Sequence, residues 1–419
     1  MPFRATASRL LFVLALAGRS VAHAQDLTPV VHVDNPPTLA AQQSKHYVVL
    51  VSLDGFRYDY ARKYGAPHLD AMAHEGASTP EGMLPSYPSV TFPNHYTLVT
   101  GLRPEHHGIA GMEFYDPDRH EEYRYSDSTK NSDGSWYYGT PLWVLAEQQG
   151  MRSACFFWPG SEAAIDGVRP SFYLHFDDHL DDEIRIDQVI AWLKLPPEQR
   201  PHLITLYYSN VDHAGHTFGP DAPETRDAVH HVDDLMGTLR EKLKMTGLSV
   251  DLVVTADHGM VKAHGDPVVL DTFADLSHFK TEGALLYANT EADAEQAFEQ
   301  FRAHPDPRFS VYRRLNVPKS LAYDTSPREG DPVVIPDGPY ALYAHAPTRK
   351  PNIGSHGFDP HTMPEMKAIF YAAGPDIRAN TKLKSFDNID VYDFVAHLLG
   401  LEVPPNDGEL TPLKAAIKP

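Results

Sequence analysis

The run Tyr47-Val48-Val49-Leu50-Val51-Ser52-Leu53, which Asp54-Gly55 follows at once, decides the fold. Its apolar residues are nearly continuous, whereas a strand with one face in water alternates apolar and polar residues. The pattern therefore predicts a strand that is buried on both faces, as in a parallel sheet covered by helices. Similar runs predict four more strands of the same sheet, at residues 152–157, 203–208, 250–255 and 368–372.

Stretches with helical spacing lie between these runs. From Pro223 to Leu243 the apolar residues fall three and four apart, and Pro223 suits the first turn of a helix. A second helix is predicted from Val391 to Leu399, because Gly400 follows it as a helix end requires. This alternation predicts an α/β fold with a doubly wound, mostly parallel sheet flanked by helices.

Residues 267–350 depart from the alternation. They contain a strand-like run at 284–288, a helix-like stretch at 291–303 and a second strand-like run at 309–313. We expect a small inserted α+β subdomain there, beside the functional site.

The N-terminal 24 residues have the pattern of a secretory signal peptide. Arg4 and Arg9 precede the apolar stretch 10–17, and Ala22-His23-Ala24 has the form of a cleavage site. The alternative is a buried N-terminal helix. We expect cleavage after Ala24 and a periplasmic or secreted protein. The apolar stretch is too short to cross a bilayer and no later segment is long enough, so no membrane span is expected.

Charge and cysteine content exclude some functions. The net charge of −20 becomes −23 when Arg4, Arg9 and Arg19 leave with the leader, which holds no acidic residue. Such a chain is not expected to bind a nucleic-acid polymer, because that requires Lys and Arg to neutralise phosphates. A small anionic substrate would need bound cations. Cys155 is the only cysteine, so no intramolecular disulfide can form.

Acidic and imidazole side chains follow several of the predicted strands. The carboxyl ends of parallel strands share one edge of a sheet, and ligands bind there. Taken singly, an Asp after a strand is most often a turn former or a helix cap. Taken together, carboxylate and imidazole groups without thiolate suit two Zn²⁺ sites. The candidate ligands are Asp54, Asp212, His216, Asp257, His258 and His356.

Thr91 is the candidate nucleophile. Residues 94–100 are predicted to form a helix closed by Gly101, with Pro93 in its first turn, so Thr91 lies at the N-terminal end. The helix dipole there favours an alkoxide and a bound phosphate. The alternative is that Thr91 only caps the helix. Two metal ions can activate such a hydroxyl without a Ser-His-Asp arrangement.

Six ordered motifs between Tyr47 and Gly408 resemble the nucleotide pyrophosphatase/phosphodiesterase family of the alkaline phosphatase superfamily. The resemblance implies an alkaline-phosphatase-like catalytic domain at 46–408, between an extended arm at 25–45 and a tail at 409–419. The motifs are Asp54-Gly55-Phe56-Arg57, Thr91-Phe92-Pro93-Asn94-His95, residues 100–109, Asp212-His213-Ala214-Gly215-His216, Asp257-His258-Gly259-Met260 and Gly354-Ser355-His356-Gly357-Phe358-Asp359.

The resemblance also implies a mechanism. Thr91 would attack a phosphodiester or pyrophosphate bond of a nucleotide or related small ester and form a phospho-threonine. One zinc would stabilise the leaving group and then activate the hydrolytic water, and the other would bind the Thr91 hydroxyl. The implied ligands are Asp212, His216 and His356 for the first zinc, and Asp54, Asp257 and His258 for the second.

Three further residues resemble family positions that contact substrate. Phe92 and Tyr207 match positions where a ring stacks on a base, although helix packing and core filling explain them equally well. Met112 stands where the family has an Asn whose amide donates to a phosphate oxygen. Methionine cannot donate, so about 3 kcal/mol of transition-state stabilisation is lost unless another donor replaces it.

Two other readings remain open at this point. The same metal core could serve a phosphomonoesterase or phosphonate hydrolase, or Met112 could mark a catalytically weakened ligand-binding relative. A sulfatase is not expected, because its nucleophile motif, a Cys or Ser followed two and four residues on by Pro and Arg, is missing around Thr91. We expect His361, close to the last motif, and the pair His230-His231 to lie on the surface rather than bind metal.

Overall fold

The computed structural model describes residues 29–419. The predicted signal peptide and its cleavage after Ala24 lie outside the described residues. Within the described part of the chain, no helix is both long and apolar enough to cross a membrane.

A nine-stranded mixed sheet forms the centre of the molecule, with helices flanking it. The run that decides the fold is the strand Tyr47–Leu53, and all seven of its residues are buried. It lies in the middle of the sheet, parallel to both neighbours, with Val51 opposite Leu206 on one side and Val254 on the other. In spatial order the strands are Val31–His32, Phe172–Tyr173, Ser153–Phe156, Leu203–Tyr208, Tyr47–Leu53, Val250–Thr255, Phe370–Ala373, Ala77–Ser78 and Thr381–Lys382.

Five adjacent strands, from Phe172–Tyr173 to Val250–Thr255, run parallel. The predicted mostly parallel sheet flanked by helices is therefore confirmed. Two strands run antiparallel to their neighbours: Phe370–Ala373, and the edge strand Val31–His32. The edge strand lies inside the stretch that we expected to be an extended arm.

Helices flank this sheet, and the helix near the C-terminus ends as its sequence indicates. Gly400 adopts a left-handed conformation (φ 64°) after the helix Asp390–Leu399, where a side chain would be strained. The helix expected from 223 to 243 runs two residues further. The helices are Tyr60–Tyr64, Pro67–Glu75, Thr91–Thr100, Pro104–His107, Ser128–Asn131, Leu142–Gln148, Asp182–Leu193, Asn210–Phe218, Pro223–Met245, Glu291–Ala303 and Asp390–Leu399.

The inserted stretch builds a small core of its own. Its helix Glu291–Ala303 contacts the strands Leu285–Ala288 and Phe309–Tyr312, and side chains such as Leu286 and Phe301 form a second apolar cluster. The boundaries at 25–45, 46–408, 267–350 and 409–419 stay predictions. Outside the large sheet, strands pair as Glu113–Asp116 with Glu121–Arg124, Val261–Lys262 with Gly354–Ser355, Val268–Val269 with Leu342–Tyr343, Phe279–Glu282 with Leu285–Ala288, and Phe309–Tyr312 with Val333–Pro336.

Candidate active site

The predicted ligand residues meet at the carboxyl edge of the central strands. Asp54 follows the strand Tyr47–Leu53 directly, and Asp257 and His258 follow Val250–Thr255. These three side chains are at most 1% exposed. Because the two strands are adjacent and parallel, residues at their carboxyl ends are brought side by side.

One group of polar atoms surrounds the Nε2 atom of His258. Asp257 Oδ2 lies 2.9 Å from it and Asp54 Oδ1 lies 3.6 Å from it. Thr91 Oγ1 lies 3.4 Å from the same nitrogen. The structure thus brings the candidate nucleophile together with three of the predicted ligands.

A second group adjoins the first. Asp212 and His216 lie on the helix Asn210–Phe218, and Asp212 Oδ1 is 3.4 Å from His216 Nε2. His356 Nε2 is 3.6 Å from Asp212 Oδ1 and 3.0 Å from His216 Nε2. The ring of His356 stacks on that of His258 with 3.6 Å between their centroids. All six predicted ligands and Thr91 therefore form one continuous cluster.

The backbone fixes the tautomer of the three predicted histidine ligands. The Nδ1 atoms of His216, His258 and His356 each lie 2.9 Å from a backbone carbonyl oxygen, of Gly354, Gly259 and Ser89 respectively. A carbonyl oxygen only accepts, so each Nδ1 must donate its hydrogen. The Nε2 lone pairs then point into the cluster, as in metal sites whose histidines are oriented by a second hydrogen bond.

One oxygen of each carboxylate in the cluster lacks a hydrogen-bond donor. Within residues 29–419, Asp54 Oδ1, Asp212 Oδ1 and Asp257 Oδ2 are buried without a hydrogen-bond donor. Converging lone pairs and unpartnered carboxylate oxygens are costly unless cations lie among them. Oxygen and imidazole nitrogen donors without thiolate fit divalent metal ions such as Zn²⁺.

Burial and mutual repulsion perturb these groups strongly. Burial raises the pKa of Asp54 well above its ordinary value, and the neighbouring carboxylates of Asp257 and Asp212 raise it further. Burial would also raise the pKa of Asp257, but His258 and His95 hold it below its usual range. Burial lowers the pKa of His356, and His258 and His216 add to that effect. Strongly perturbed pKa values of this kind are typical of functional sites.

His95 also approaches the cluster, with Nδ1 3.4 Å from Asp257 Oδ2. Both of its ring nitrogens are already engaged, Nδ1 with the Thr91 carbonyl oxygen at 2.9 Å and Nε2 with the Ser52 hydroxyl at 2.8 Å. Burial lowers the pKa of His95, which favours a neutral ring. With Nδ1 donating to a carbonyl oxygen and Nε2 bonded to the Ser52 hydroxyl, His95 has no free lone pair to offer a metal ion in this geometry.

Thr91 is the first residue of the helix Thr91–Thr100, which begins three residues earlier than predicted. Val90 is the N-cap, and no side chain caps this helix end. The alternative reading of Thr91 as a helix cap is therefore wrong, and its hydroxyl faces the cluster instead.

A cleft of about 800 Å³ opens beside Thr91, and we term it the aromatic cleft. Phe92 and Tyr207 both line it, but the Tyr207 ring is only 7% exposed and its hydroxyl donates to Asp54 Oδ2 at 2.6 Å. Sequence reasoning missed two other lining rings, the exposed Phe176 and Tyr125. The signal for Phe176 was weak, because it follows a two-residue strand, Phe172–Tyr173, that was not predicted.

Met112 is half-buried beside the first turn of the helix that carries Thr91. The Phe92 N–H donates to its sulfur at 3.3 Å. Asn94 does not replace the amide that Met112 lacks: its Nδ2 donates to the carbonyl oxygens of Pro88 and Val90, and its Oδ1 accepts from the Ser86 N–H. As predicted, His361 and His230-His231 are exposed.

Comparison with known proteins defines the class to which this fold and site belong. Residues 48–359 match the family model described as type I phosphodiesterase / nucleotide pyrophosphatase. The chain belongs to this family, and it is a hydrolase of the pyrophosphatase/phosphodiesterase type.

Individual relatives agree with this membership. The chain is 34% identical over 383 residues to an uncharacterized pyrophosphatase/phosphodiesterase of Schizosaccharomyces pombe, covering 86% of this chain and 78% of the relative. It is 33% identical over 377 residues to member 3 of the Mus musculus ectonucleotide pyrophosphatase/phosphodiesterases, of which it spans only 43%.

A solved structure shows the same fold. The murine ectonucleotide pyrophosphatase/phosphodiesterase 5 superposes with a TM-score of 0.83 at 28% identity, over 89% of this chain and all of that chain. That protein was solved as an inactive variant, with a threonine replaced by alanine, in complex with AMP. The match supports the mostly parallel sheet and the alkaline-phosphatase-like fold.

Proposed function

We propose that this protein hydrolyses phosphodiester or pyrophosphate bonds of nucleotides or related small esters, with Thr91 as the nucleophile. The observation that carries the proposal is the position of Thr91 Oγ1, 3.4 Å from His258 Nε2 at the margin of six converging candidate ligand side chains. The hydroxyl is not used to cap its helix, and it faces a cleft large enough for a nucleotide.

Two zinc ions are the proposed cofactors. Asp54, Asp257 and His258 would hold one, together with the Thr91 hydroxyl. Asp212, His216 and His356 would hold the other. When bound, such ions lower the pKa of a coordinated hydroxyl and neutralise charge on phosphate oxygens.

The proposed hydrolysis has two steps, in which Thr91 and the Phe92 N–H take part. Thr91 Oγ1 forms a bond to phosphorus while the bond to the leaving oxygen breaks, and the hydroxyl proton is lost to solvent. The Phe92 N–H, which meets only a weak sulfur acceptor in Met112, would donate to a phosphate oxygen. Water then attacks the phospho-threonine and releases Thr91.

The aromatic cleft is the proposed site for the nucleoside. Phe92 and Tyr125 lie 5.5 Å apart between ring centroids, and Phe176 contributes a third ring at the same cleft. Aromatic rings that line a cleft in this way stack on bases. The AMP bound by the murine relative supports this assignment. Tyr207 is proposed as the floor of the cleft, holding Asp54 through its hydroxyl.

We place the mature protein in the periplasm or outside the cell, with residues 1–24 as the leader. The ectonucleotide class of the mammalian relatives supports this location. The proposed partner is a small phosphoester, and no nucleic-acid polymer is expected to bind to a chain with a net charge of −20.

Met112 is the observation that favours a second candidate function, a catalytically weakened binding relative, because it cannot donate to phosphate. Paired chromogenic mono- and diesters test both possibilities. The proposal expects higher kcat/KM on the diester. A strong preference for the monoester would assign the same core to a phosphomonoesterase, and binding without turnover would make the protein a weakened relative.

A further inference from the structure

We infer that a second cleft accepts the leaving group of the substrate, and that it selects an uncharged organic alcohol over pyrophosphate. This inference rests on the proposed function and names its substrate class. The cleft, which we term the alcohol cleft, measures about 460 Å³ and lies between the inserted stretch and the core. Esters of uncharged alcohols are then better substrates than nucleoside triphosphates.

The position of the alcohol cleft matches the direction of in-line displacement. His356 lines it, whereas Thr91 and Asp54 line the aromatic cleft. Met112 and Tyr125 line both clefts and form their shared boundary. In-line attack by Thr91 places the leaving oxygen on the side of phosphorus away from the hydroxyl, toward the end of the cluster that holds His356.

The lining of the alcohol cleft is apolar and carries no cation. Among the described residues that line it, none is Lys or Arg, and its ionisable members besides tyrosines and His356 are three glutamates. Rings and aliphatic side chains form most of its wall. The chief contributors are Tyr87, Leu285, Tyr323, Tyr340, Tyr343 and Phe358.

The guanidinium that contacts two of these glutamates is already paired with them. Arg124 donates through Nη1 to Glu113 at 2.7 Å and through Nη2 to both carboxylate oxygens of Glu282 at 2.8 Å. Burial raises the pKa of the third glutamate, Glu329, to about 9, so it is neutral at pH 7. Two carboxylates and one guanidinium leave this wall with a net negative charge.

These charges decide which leaving group fits. Beyond the proposed zinc at His356, pyrophosphate would meet no cation and a net like charge from the side chains that line the cleft, and like charges brought together cost affinity. An uncharged aryl or alkyl alcohol would instead bury apolar surface against the tyrosine rings. The two clefts therefore suit a nucleotide joined to an apolar alcohol.

The test compares two aryl esters of one nucleoside 5′-phosphate on the zinc-loaded full-length protein. The two phenols have matched pKa values and differ in one remote sulfonate, so intrinsic reactivity is equal. We expect kcat/KM to favour the neutral ester by about tenfold, and to favour it likewise over the nucleoside triphosphate. Equal values for neutral and anionic esters would overturn the inference.

A substitution in the wall assigns the effect to this cleft. Ala284 is half-buried in the lining. Ala284→Lys supplies the missing cation. It should lower the ratio of kcat/KM for the neutral ester to kcat/KM for the anionic ester several-fold, chiefly by lowering KM for the anionic ester. Ala284→Met adds similar length without charge and should not shift the ratio. An unchanged ratio in a folded Ala284→Lys protein would place the selection elsewhere.

The proposed function and the assignment of the alcohol cleft can be refuted separately. If neither ester is hydrolysed by zinc-loaded protein, the proposed function is wrong. If both esters are hydrolysed with equal efficiency, the function stands and only the assignment of the alcohol cleft is wrong.

Discussion

Thr91 is the residue on which the proposed chemistry depends, because its hydroxyl is the proposed nucleophile beside the ligand cluster. We predict that Thr91→Ala lowers diester turnover by at least about 1000-fold, since the bond-forming oxygen is lost. Thr91→Ser keeps that oxygen and should retain measurable turnover. Steady-state kinetics and metal content are measured on both variants. Unchanged turnover in Thr91→Ala that still holds its metal would refute the nucleophile assignment.

Substitution of Met112 tests how much the missing amide donor costs in turnover. Met112→Asn restores a donor near the Phe92 N–H, and a single preorganised donor to phosphate contributes about 10²-fold to kcat. We predict a rise in kcat of about tenfold or more. Met112→Leu, which also removes the sulfur but offers no donor, is the matched control. A similar gain in both variants would show that relief of the sulfur contact, and not the amide, is responsible.

Most of the candidate site was predictable from single residues. Asp54, Asp257 and His258 directly follow runs that read clearly as buried strands, and parallel strands must end at one edge. The orientation of the histidines was not predictable, because it depends on carbonyls of Ser89, Gly259 and Gly354 that the fold brings to Nδ1. The aromatic Phe176 was missed for a similar reason: tertiary packing places it.

At the scale of elements, a close backbone contact joins two parts of the site. Gly354 lies against the helix Asn210–Phe218, and its carbonyl oxygen accepts from His216 Nδ1. A Cβ at Gly354 would meet the Gly215 carbonyl oxygen at 2.2 Å, so the helix and the segment that carries His356 can approach only with glycine there.

We therefore predict that Gly354→Ala weakens metal binding and lowers turnover together, because His216 and His356 are pushed apart. Metal content and diester kinetics measure the effect. Gly265→Ala is the control, since a Cβ there meets no atom within 4 Å. Equal metal affinity in Gly354→Ala and wild type would show that the contact does not set the ligand geometry.

The opposite end of the strand Val250–Thr255 carries a buried acid. Asp251 is fully buried, and burial raises its pKa to about 7, with the Asp376 carboxylate adding to the effect. Its Oδ1 accepts from the Asp376 N–H, and His46 pairs with the Asp376 carboxylate. A pKa higher in the folded state means that this group's stabilisation is complete below about pH 4 and is lost as pH rises through about 7.

Asp251→Asn should remove the part of the pH dependence of stability that Asp251 causes. Between about pH 5 and pH 8, wild type should lose roughly 2–3 kcal/mol of unfolding free energy relative to the variant. Urea unfolding of both proteins at the two pH values measures this difference, and other titrations cancel in the comparison. A variant-to-wild-type difference that is the same at both pH values would contradict the assignment to Asp251.

The boundaries of helices and strands matched the prediction where the apolar run or the helical spacing was clear. The strand Tyr47–Leu53, the strand Leu203–Tyr208 and the helix Glu291–Ala303 lie where the pattern placed them. The direction of Phe370–Ala373 could not be read from its composition, because a short buried run looks the same in a parallel or antiparallel pairing. The edge strand Val31–His32 is too short to show any period.

At the scale of the whole molecule, an acidic protein must bind an anionic ester. The net charge of −20 repels phosphate at long range, so attraction has to come from the site itself. The described residues concentrate unpartnered carboxylate oxygens and imidazole lone pairs at one sheet edge. Cations bound there would make the local electrostatic potential positive. The fold was predictable at this scale because one covered strand and its neighbours dictate a layered α/β architecture.

The most direct test is the metal content of the purified protein, measured beside its diester turnover before chelation, after chelation and after zinc is restored. We predict two zinc ions per chain, loss of turnover when a chelator removes them, and recovery when zinc is added back. Metal-free protein that hydrolyses the diester as fast as the untreated protein would contradict the two-metal account.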